Sequence, residues 1–521
     1  MTRSRARSAV AVALAVAAIA EVSTGCGHHV PALFADRPVV TVVRDDKPID
    51  LPSRRDFDER EHISDIYFRR PLFDVVRPLD FPTAGDVNAM DEVPSSTWYD
   101  PDQPVLAAPD ASPSLPLTAL DERPAIADEA LVVRDAHGRR FELLADPPEQ
   151  AGLFTAAEVL GGALLRGLGL RAPRAWILAL PSSSVASDGD KAKARLDTWL
   201  ARKAATTEGG RRVSATAWID GVDVGVTSDY SLRRDDPNDR VNHHDRRTLR
   251  ATKVFAHWMG WSGFGVRSTR DAYVGKIGEG HLLHYLIGTS RAFGTLDLRP
   301  TETRDEEGGG VAWNLITLGL SGPTVTAARR APFSSLGYLP ADLVPGEFDV
   351  SPPYSPFVRL TPPDEYWAAK RLMDATDAAL RAGLAAAFLQ PAAVRHLTEV
   401  LEGRRRLLVQ HAMTVVSPVD PAATVGRSVW LRDRAIAAGF AEASDTIFDV
   451  AFLDDDGAEL APRVRIRAAG ELTAVRLPRK LLFGRVVLHV RVVRGGIEAP
   501  RPCDVHLMAD RSSVRVLGVR H

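Results

Sequence analysis

The amino-acid sequence predicts an α+β protein that ends in a small all-β domain. Residues 126–417 mix segments with apolar side chains at helical spacing and short apolar runs typical of strands. After Pro418, short alternating runs separated by turn residues dominate, as in a β-sandwich. The chain has 521 residues, which allows roughly two to four domains. A content of 45% hydrophobic and 25% charged residues is enough for a sizeable core.

The first 25 residues have the layout of a secretory signal peptide. Arg3, Arg5 and Arg7 precede a wholly apolar run at residues 9–20, and small residues follow up to Cys26. The apolar run is shorter than the about 20 residues that span a bilayer. We therefore predict export, with cleavage after residue 25.

The residues before Cys26 point to a lipid anchor. Thr24-Gly25-Cys26 resembles the bacterial lipobox, in which the Cys is acylated and becomes the first residue of the mature protein. The resemblance implies a membrane partner through lipid on Cys26, and Gly27 is typical of an outer-membrane destination. Ser23 departs from the usual Leu, so an ordinary secretory signal is the alternative. Cys503 is the other cysteine, which excludes a disulfide framework and leaves a single Cys26–Cys503 bridge as an alternative.

Residues 26–125 are predicted to be a lipid-anchored tether followed by a Pro/Asp-rich linker. Residues 27–80 lack periodic runs, and residues 102–124 are rich in Pro and acidic side chains. Between them, we expect residues 86–99 to pack onto a domain, because Trp98 and Tyr99 bury a large area.

The globular part divides into three predicted regions. Residues 126–240 are predicted to hold a strand–turn–strand over 131–144, a helix over 154–168 ended by Gly169, a strand over 175–180, a polar loop over 181–195 and a short helix over 195–205. Residues 241–417 are predicted to be mostly helical, with helices over 244–259, 364–390 and 392–415, strands over 272–277 and 282–287, and a Gly-rich loop over 296–312. Residues 418–521 are predicted to be β-rich, with strands over 446–453, 463–467, 472–477, 485–493 and 504–508.

The order of these elements resembles a kinase-like two-lobed core. It is similar to atypical kinases of the HipA and phosphatidylinositol-kinase-like kind, and more closely to a group of uncharacterised exported bacterial proteins sharing that core. The resemblance spans most of residues 80–415. It rests on the segments 86–98, 146–148, 235–239, 246–247, 254–255 and 284–287, together with Glu158.

In such kinases a strand Lys pairs with a helix Glu, a loop Asp positions the acceptor hydroxyl, and an Asn and a second Asp hold the metal ions. The corresponding positions here lack these groups. The strand position is Leu144, the loop offers Ser262 and then Ser268, and the metal-binding turn has Gly288. Only Glu158 is retained. The resemblance therefore implies a pseudokinase-like module without catalytic residues, cofactor or metal.

Other polar clusters have structural interpretations. His243-His244-Asp245 suggests a metal site, but no third ligand follows at helical spacing, which favours a capped helix start. The acidic run at 235–239 lacks the Gly and distal Glu of a calcium loop and is interpreted as a solvated turn. A net charge of −2 disfavours nucleic acid as a partner.

Two functional hypotheses remain open. The first is an exported, lipid-anchored cell-envelope protein whose degenerate core binds or scaffolds another envelope protein. The second is an atypical kinase or other phosphotransferase using shifted carboxylates, for which the candidates are Glu142, Asp146, Glu158 and Asp271.

The anchor prediction is tested by Cys26→Ser. We expect this variant to leave the membrane fraction, because the acyl chains that hold the protein there would have no attachment site. Fractionation of cells with and without detergent measures it, with Cys503→Ser as the control. Unchanged membrane partition of Cys26→Ser would refute lipidation.

Overall fold

The computed structural model describes residues 34–70, 83–181, 190–207, 209–296, 299–300 and 331–521. The predicted signal peptide, Cys26, and most of the loops predicted at 181–195 and 296–312 lie outside these residues. Among the described helices, none combines the length and apolar content needed to cross a bilayer. The α+β class and the all-β C-terminal region are confirmed.

One part of the central region is an antiparallel sheet built from strands between residues 118 and 217. We call this the upper part, and its sheet the upper sheet. Its strands are β1 Thr118–Ala119, β2 Leu131–Arg134, β3 Arg140–Ala145, β4 Ala175–Leu180, β5 Thr206–Thr207 and β6 Gly210–Ala217. The order is β1-β2-β3-β6-β4, with β5 beside β6. The predicted hairpin of β2 and β3 is confirmed. The sequence pattern does not predict strand β6, which lies between β3 and β4.

Helix α1, Glu59–Ser64, belongs to the N-terminal segment and is capped by Asp58.

The next two helices cover the two faces of the upper sheet. Helix α2, Leu153–Gly167, is buried along nearly its whole length, which explains why it is apolar on all sides. Helix α3, Asp190–Lys203, packs Leu196 and Leu200 onto the opposite face of the sheet. It begins five residues before the predicted start at residue 195.

The lower part of the central region is a small sheet surrounded by helices. The sheet has the order β7-β8-β9, with β7 Val222–Asp223, β8 Thr269–Val274 and β9 His281–Leu286, and β10 Thr295–Leu296 pairs with β11 Arg299–Pro300. The helices are α4 Arg247–Met259, α5 Ser355–Val358, α6 Pro362–Ala386 and α7 Pro391–Val415. Helix α6 contacts both α2 and α4, so it joins the upper and lower parts.

The C-terminal region is built from two antiparallel sheets that share one apolar core. One sheet has the order β12-β13-β16, with β12 Val419–Val425, β13 Ser428–Asp433 and β16 Leu472–Arg476. The other has the order β15-β14-β17-β19-β20, with β14 Thr446–Leu453, β15 Glu459–Arg467, β17 Gly484–Arg494, β19 Cys503–Ala509 and β20 Val514–Arg520; β18 Ile497–Glu498 pairs with β17. Helix α8, Arg434–Ala437, follows β13 and is capped by Asp433.

The N-terminal segment differs from the tether and linker that its composition suggests. Its described residues lie against the globular regions through single β-bridges, including Ile49 to Gly280 and Arg55 to Gly225. Trp98 and Tyr99 are buried, as predicted, and Leu117 is buried ahead of β1. These contacts occur at irregular intervals, so no periodic pattern in the sequence reveals them.

A buried ionic cluster joins the C-terminal region to the helical region. Arg247 at the start of α4 pairs with Asp91 at 2.9 Å and Asp364 at 3.0 Å. The Nδ1 atom of His521 lies 3.0 Å from Asp91. Burial lowers the pKa of His521, but Cys503 and the hydrogen bond and charge of Asp91 raise it to about 10. The protonated imidazole therefore completes the pairing of Asp91.

This cluster predicts a specific pH dependence of stability. Because the pKa of His521 rises from 6.5 in the unfolded chain to about 10 in the folded chain, its stabilisation is complete below pH 6.5 and is lost as pH rises toward 10. We expect wild type to lose roughly 3 kcal/mol relative to His521→Gln across this window. Chemical denaturation at a series of pH values measures the difference, with the exposed His137→Gln as control. Parallel curves for wild type and His521→Gln would contradict the assignment.

Candidate functional site

A cleft of about 710 Å³ lies between the upper sheet and the β7–β9 sheet. It is open on one side and is lined by N-terminal residues 54–57, the segment 122–128, Arg140 and Trp218, and by residues in or next to β7, β8 and β9. The lining is rich in arginine: Arg54, Arg123, Arg140, Arg267, Arg270 and Arg291.

The inner wall of the cleft is filled by the chain itself. Ile126 and Ala127 are buried in an apolar cluster with Leu144, Ile219 and Ile287, and Phe154 and Ala272 belong to the same cluster. Strands from both parts of the central region contribute to it. The segment around Ile126 therefore occupies the space where these two parts face each other.

Glu142 on β3 holds this segment in place. Its Oε2 atom accepts hydrogen bonds from the backbone N–H groups of Ala125 at 2.8 Å and Ile126 at 2.9 Å. Burial raises the pKa of Glu142 to about 7, partly opposed by the two backbone hydrogen bonds and reinforced by the charge of Glu158. The Glu142 side chain therefore holds residues 125–127, which we call the inserted segment.

The four positions of the predicted degenerate site are only partly brought together. Leu144 is buried behind Ile126, and Ser268 and Gly288 line the cleft. The backbone N–H of Ile287 donates to the carbonyl of Ser268 at 2.9 Å, which fixes these two residues side by side. Ser262 is partly buried and does not belong to the cleft lining.

The turn at Gly288 is closed to larger residues. Its φ of +74° lies in the left-handed region that side chains disfavour. A Cβ atom there would lie 3.1 Å from the carbonyl oxygen of Ile126. A side chain at this position would therefore be strained and would press against the inserted segment.

Glu158 on α2 contacts this turn and not a cation. Its Oε2 atom accepts a 2.8 Å hydrogen bond from the Ser290 N–H and a 3.2 Å bond from the Thr289 hydroxyl. Burial raises the pKa of Glu158. The helix approaches closely because Gly161 has no side chain: a Cβ atom there would lie 2.5 Å from Thr289. Glu158 thus anchors the turn after β9 to α2.

Asp146 caps the start of α2. Its carboxylate accepts from the backbone N–H groups of Gly152, Phe154 and Thr155 at 2.7–2.9 Å and from the Thr155 hydroxyl. Arg212 lies 3.4 Å away. These contacts satisfy the orphan donors of the helix start and leave Asp146 structural.

Asp271 on β8 is likewise enclosed. It accepts from Arg233 at 3.0 Å and the Thr227 hydroxyl, and it lies 2.8 Å from Nδ1 of His284. Burial raises its pKa, but the charge and hydrogen bond of His284, the Thr227 hydroxyl and the charge of Arg233 together outweigh this effect and hold the pKa well below its usual range. Trp98 stacks on His284 with ring centroids 3.6 Å apart. The aspartate is therefore sealed on the far side of β8 from the cleft.

The residues of the predicted metal candidates make separate structural contacts. His243 bonds to Asp239 at 2.7 Å, and His244 lies 3.1 Å from Asp245. Asp239 also pairs with Arg246 at 2.6 Å, and Asp235 accepts from Ser53. Across the part of the chain that the structure describes, His, Cys, Asp and Glu side chains form no group of three suited to a metal ion.

The sequence reasoning missed Ile126, Arg270 and Arg291, which shape the cleft. Ile126 stands at the end of a Pro-rich stretch with no periodic pattern. The two arginines are single charges in an arginine-rich chain, and nothing local distinguishes them. Comparison with known proteins adds no name to this site: no family model, curated protein or solved structure matches the chain.

The role of Glu142 is tested by Glu142→Gln. Because the pKa of Glu142 rises from 4.5 to about 7 on folding, the folded state of wild type loses stability as pH rises through this window. The amide retains an acceptor oxygen for both backbone bonds and does not ionise. We expect the variant to gain about 2–3 kcal/mol relative to wild type between pH 4.5 and pH 8.

Urea denaturation at several pH values measures this gain, and Glu129→Gln, which removes an exposed carboxylate nearby, is the matched control. A constant difference between wild type and Glu142→Gln across pH would show that Glu142 is ionised in both folded and unfolded chains.

Proposed function

We propose that this protein is an exported, lipid-anchored binding or scaffolding protein with a degenerate kinase-like core that does not transfer phosphate. The observation that carries the proposal is the insertion of Ile126 against Leu144 and Ile287, held by Glu142. The space that a kinase-like core would offer to a nucleotide base is taken up by the chain itself.

The charge balance of the cleft supports the same proposal. Phosphoryl transfer depends on Mg²⁺ held by carboxylates and phosphate oxygens. The carboxylates lining the cleft are paired with arginines: Asp56 and Asp223 with Arg54, Glu122 with Arg140, and Asp128 with Arg123 and Arg267. At the turn itself, Gly288 supplies no carboxylate, and its left-handed conformation and its contact with Ile126 disfavour a side chain there.

The alternative of an enzyme with shifted carboxylates has little support in the geometry. Glu142, Asp146 and Glu158 each accept backbone hydrogen bonds, and Asp271 is enclosed by Arg233 and His284. To bind a metal ion or take a proton from a substrate, these four carboxylates would first have to give up the contacts that hold the local structure.

The proposed location in the cell envelope is supported by the sequence before residue 27. The signal peptide and Cys26 would place the chain in the cell envelope, attached to a membrane through lipid. A non-catalytic core in that position is suited to holding another envelope protein.

The proposal is tested by nucleotide binding. We expect Mg²⁺ to add no rise in melting temperature when ATP is present, because a ligand raises it only when it binds the folded state and the carboxylates that line the cleft are already paired with arginines. The variant Ile126→Ala should lose about 2–4 kcal/mol of stability by leaving a cavity, and it too should show no Mg²⁺-dependent shift, since clearing space restores neither cation nor metal ligands.

Thermal melts of both proteins with ATP, with and without Mg²⁺, decide the matter. A Mg²⁺-dependent rise in wild type would overturn the proposal, and its loss in Asp271→Asn would favour the enzyme. A rise in Ile126→Ala alone would show that a functional metal site survives behind the inserted segment.

A further inference from the structure

We propose that the open part of the cleft binds a small oxyanion, carried on a phosphate- or carboxylate-bearing molecule, through Arg270 and Arg291. The inference deepens the proposed function and rests on it for the idea that the cleft serves binding. It concerns the outer, arginine-rich wall and not the inner wall filled by Ile126.

The lining of the cleft carries more positive than negative charge. Four of its arginines have carboxylate partners: Arg54, Arg140, Arg123 and Arg267. Two of these are further fixed by aromatic rings, with Arg140 over Trp218 and Arg267 over Phe57. The remaining two, Arg270 and Arg291, lie beyond ion-pair distance of every carboxylate in the described part of the chain.

Arg270 is a partly buried charge that makes no ion pair with any residue in the described part of the chain, although Asp223 and Glu142 attract it from a longer distance. Strand β8 alternates, so that Asp271 faces inward and Arg270 faces the cleft. Its Nε atom is buried and makes no hydrogen bond. Burial lowers the pKa of Arg270, and the pull of Asp223 opposes this without reaching ion-pair distance. Leaving a guanidinium donor buried and unpaired is unfavourable, and an incoming anion would remove that penalty.

Arg291 presents the same feature from the next segment. It ends the short turn Thr289–Arg291 that follows Gly288, and Glu158 holds this turn against α2. Its Nε atom is also buried without a hydrogen bond. The backbone that carries Arg291 is thus fixed, while its guanidinium makes no ion pair with a residue that the structure describes, which is the state expected of a preorganised ligand contact.

The chemistry of the wall defines the ligand class. Guanidinium groups present planar pairs of N–H donors that match carboxylate and phosphate oxygens. A cleft of about 710 Å³ has the size of a small-molecule site. Because Ile126 and Ala127 fill the apolar inner wall, a flat nucleotide base has no slot there, and a compact polar anion fits better.

A second arginine-rich cavity carries no comparable site. It lies outside β3 and β4 and has a volume of about 870 Å³. Two of its arginines are engaged: the half-buried Arg139 pairs with Asp135, and the buried Arg166 donates to three backbone carbonyls. The exposed Arg174 in this cavity is therefore a suitable control for the loss of one surface charge.

The test is isothermal titration of the folded full chain with pyrophosphate and, separately, citrate at constant ionic strength. We expect saturable one-to-one binding of at least one probe. Arg270→Gln and Arg291→Gln should each weaken it at least about tenfold, whereas Arg174→Gln should leave it unchanged. Preference for pyrophosphate identifies a phosphate ligand, and preference for citrate identifies a carboxylate.

Melting temperatures without anion provide the second measurement. Replacing an uncompensated buried charge by Gln should leave the melting temperature of Arg270→Gln equal or higher, and a clear drop would show that Arg270 has a structural partner instead. Absence of saturable binding to both probes, or equal weakening by Arg174→Gln, would overturn the inference while leaving the non-catalytic proposal intact. Mg²⁺-dependent ATP binding would overturn the non-catalytic proposal and leave the inference about the anion site intact.

Discussion

The arrangement of the described regions depends on the ion cluster at Arg247. This residue begins α4, and its guanidinium contacts Asp91 from the N-terminal segment and Asp364 at the start of α6. His521, at the end of the last strand, completes the cluster through Asp91. Removing one partner of a buried pair leaves an uncompensated charge and costs roughly 3–5 kcal/mol. Four distant parts of the sequence are thus held together by charges that neutralise one another.

The position of the cleft wall depends on the helices that this ionic cluster fixes. Because α6 contacts both α4 and α2, fixing the start of α6 also positions α2. Helix α2 in turn carries Glu158, which binds the turn at Thr289 and Ser290. The turn carries Gly288 and Arg291 to the cleft wall. The position of a candidate ligand contact is therefore set by a chain of buried contacts that begins at the ionic cluster.

Buried carboxylates serve as structural acceptors throughout the central region. Asp146 caps a helix, Glu158 fixes a turn, and Glu142 holds the inserted segment. Each is buried and bonded to backbone N–H groups, which is how a protein compensates the cost of burying acidic groups. The consequence is a charge imbalance in the cleft: its carboxylates are paired with arginines, whereas Arg270 and Arg291 make no ion pair with any described residue. A site of this composition is suited to anions and unsuited to a magnesium-bound triphosphate.

The sequence by itself determined the class of each region and most of its regular elements, because apolar periodicity reports directly on helices and strands that bury one face. The helices α2, α4, α6 and α7 and the β-rich C-terminal region follow from that pattern. Tertiary structure alone decided that Ile126 fills the inner wall of the cleft and that Arg270 and Arg291 face the open part without an ion pair to any described residue. Both depend on which distant groups share one space, and side-chain burial and charge pairing across a hundred residues leave no local pattern in the sequence.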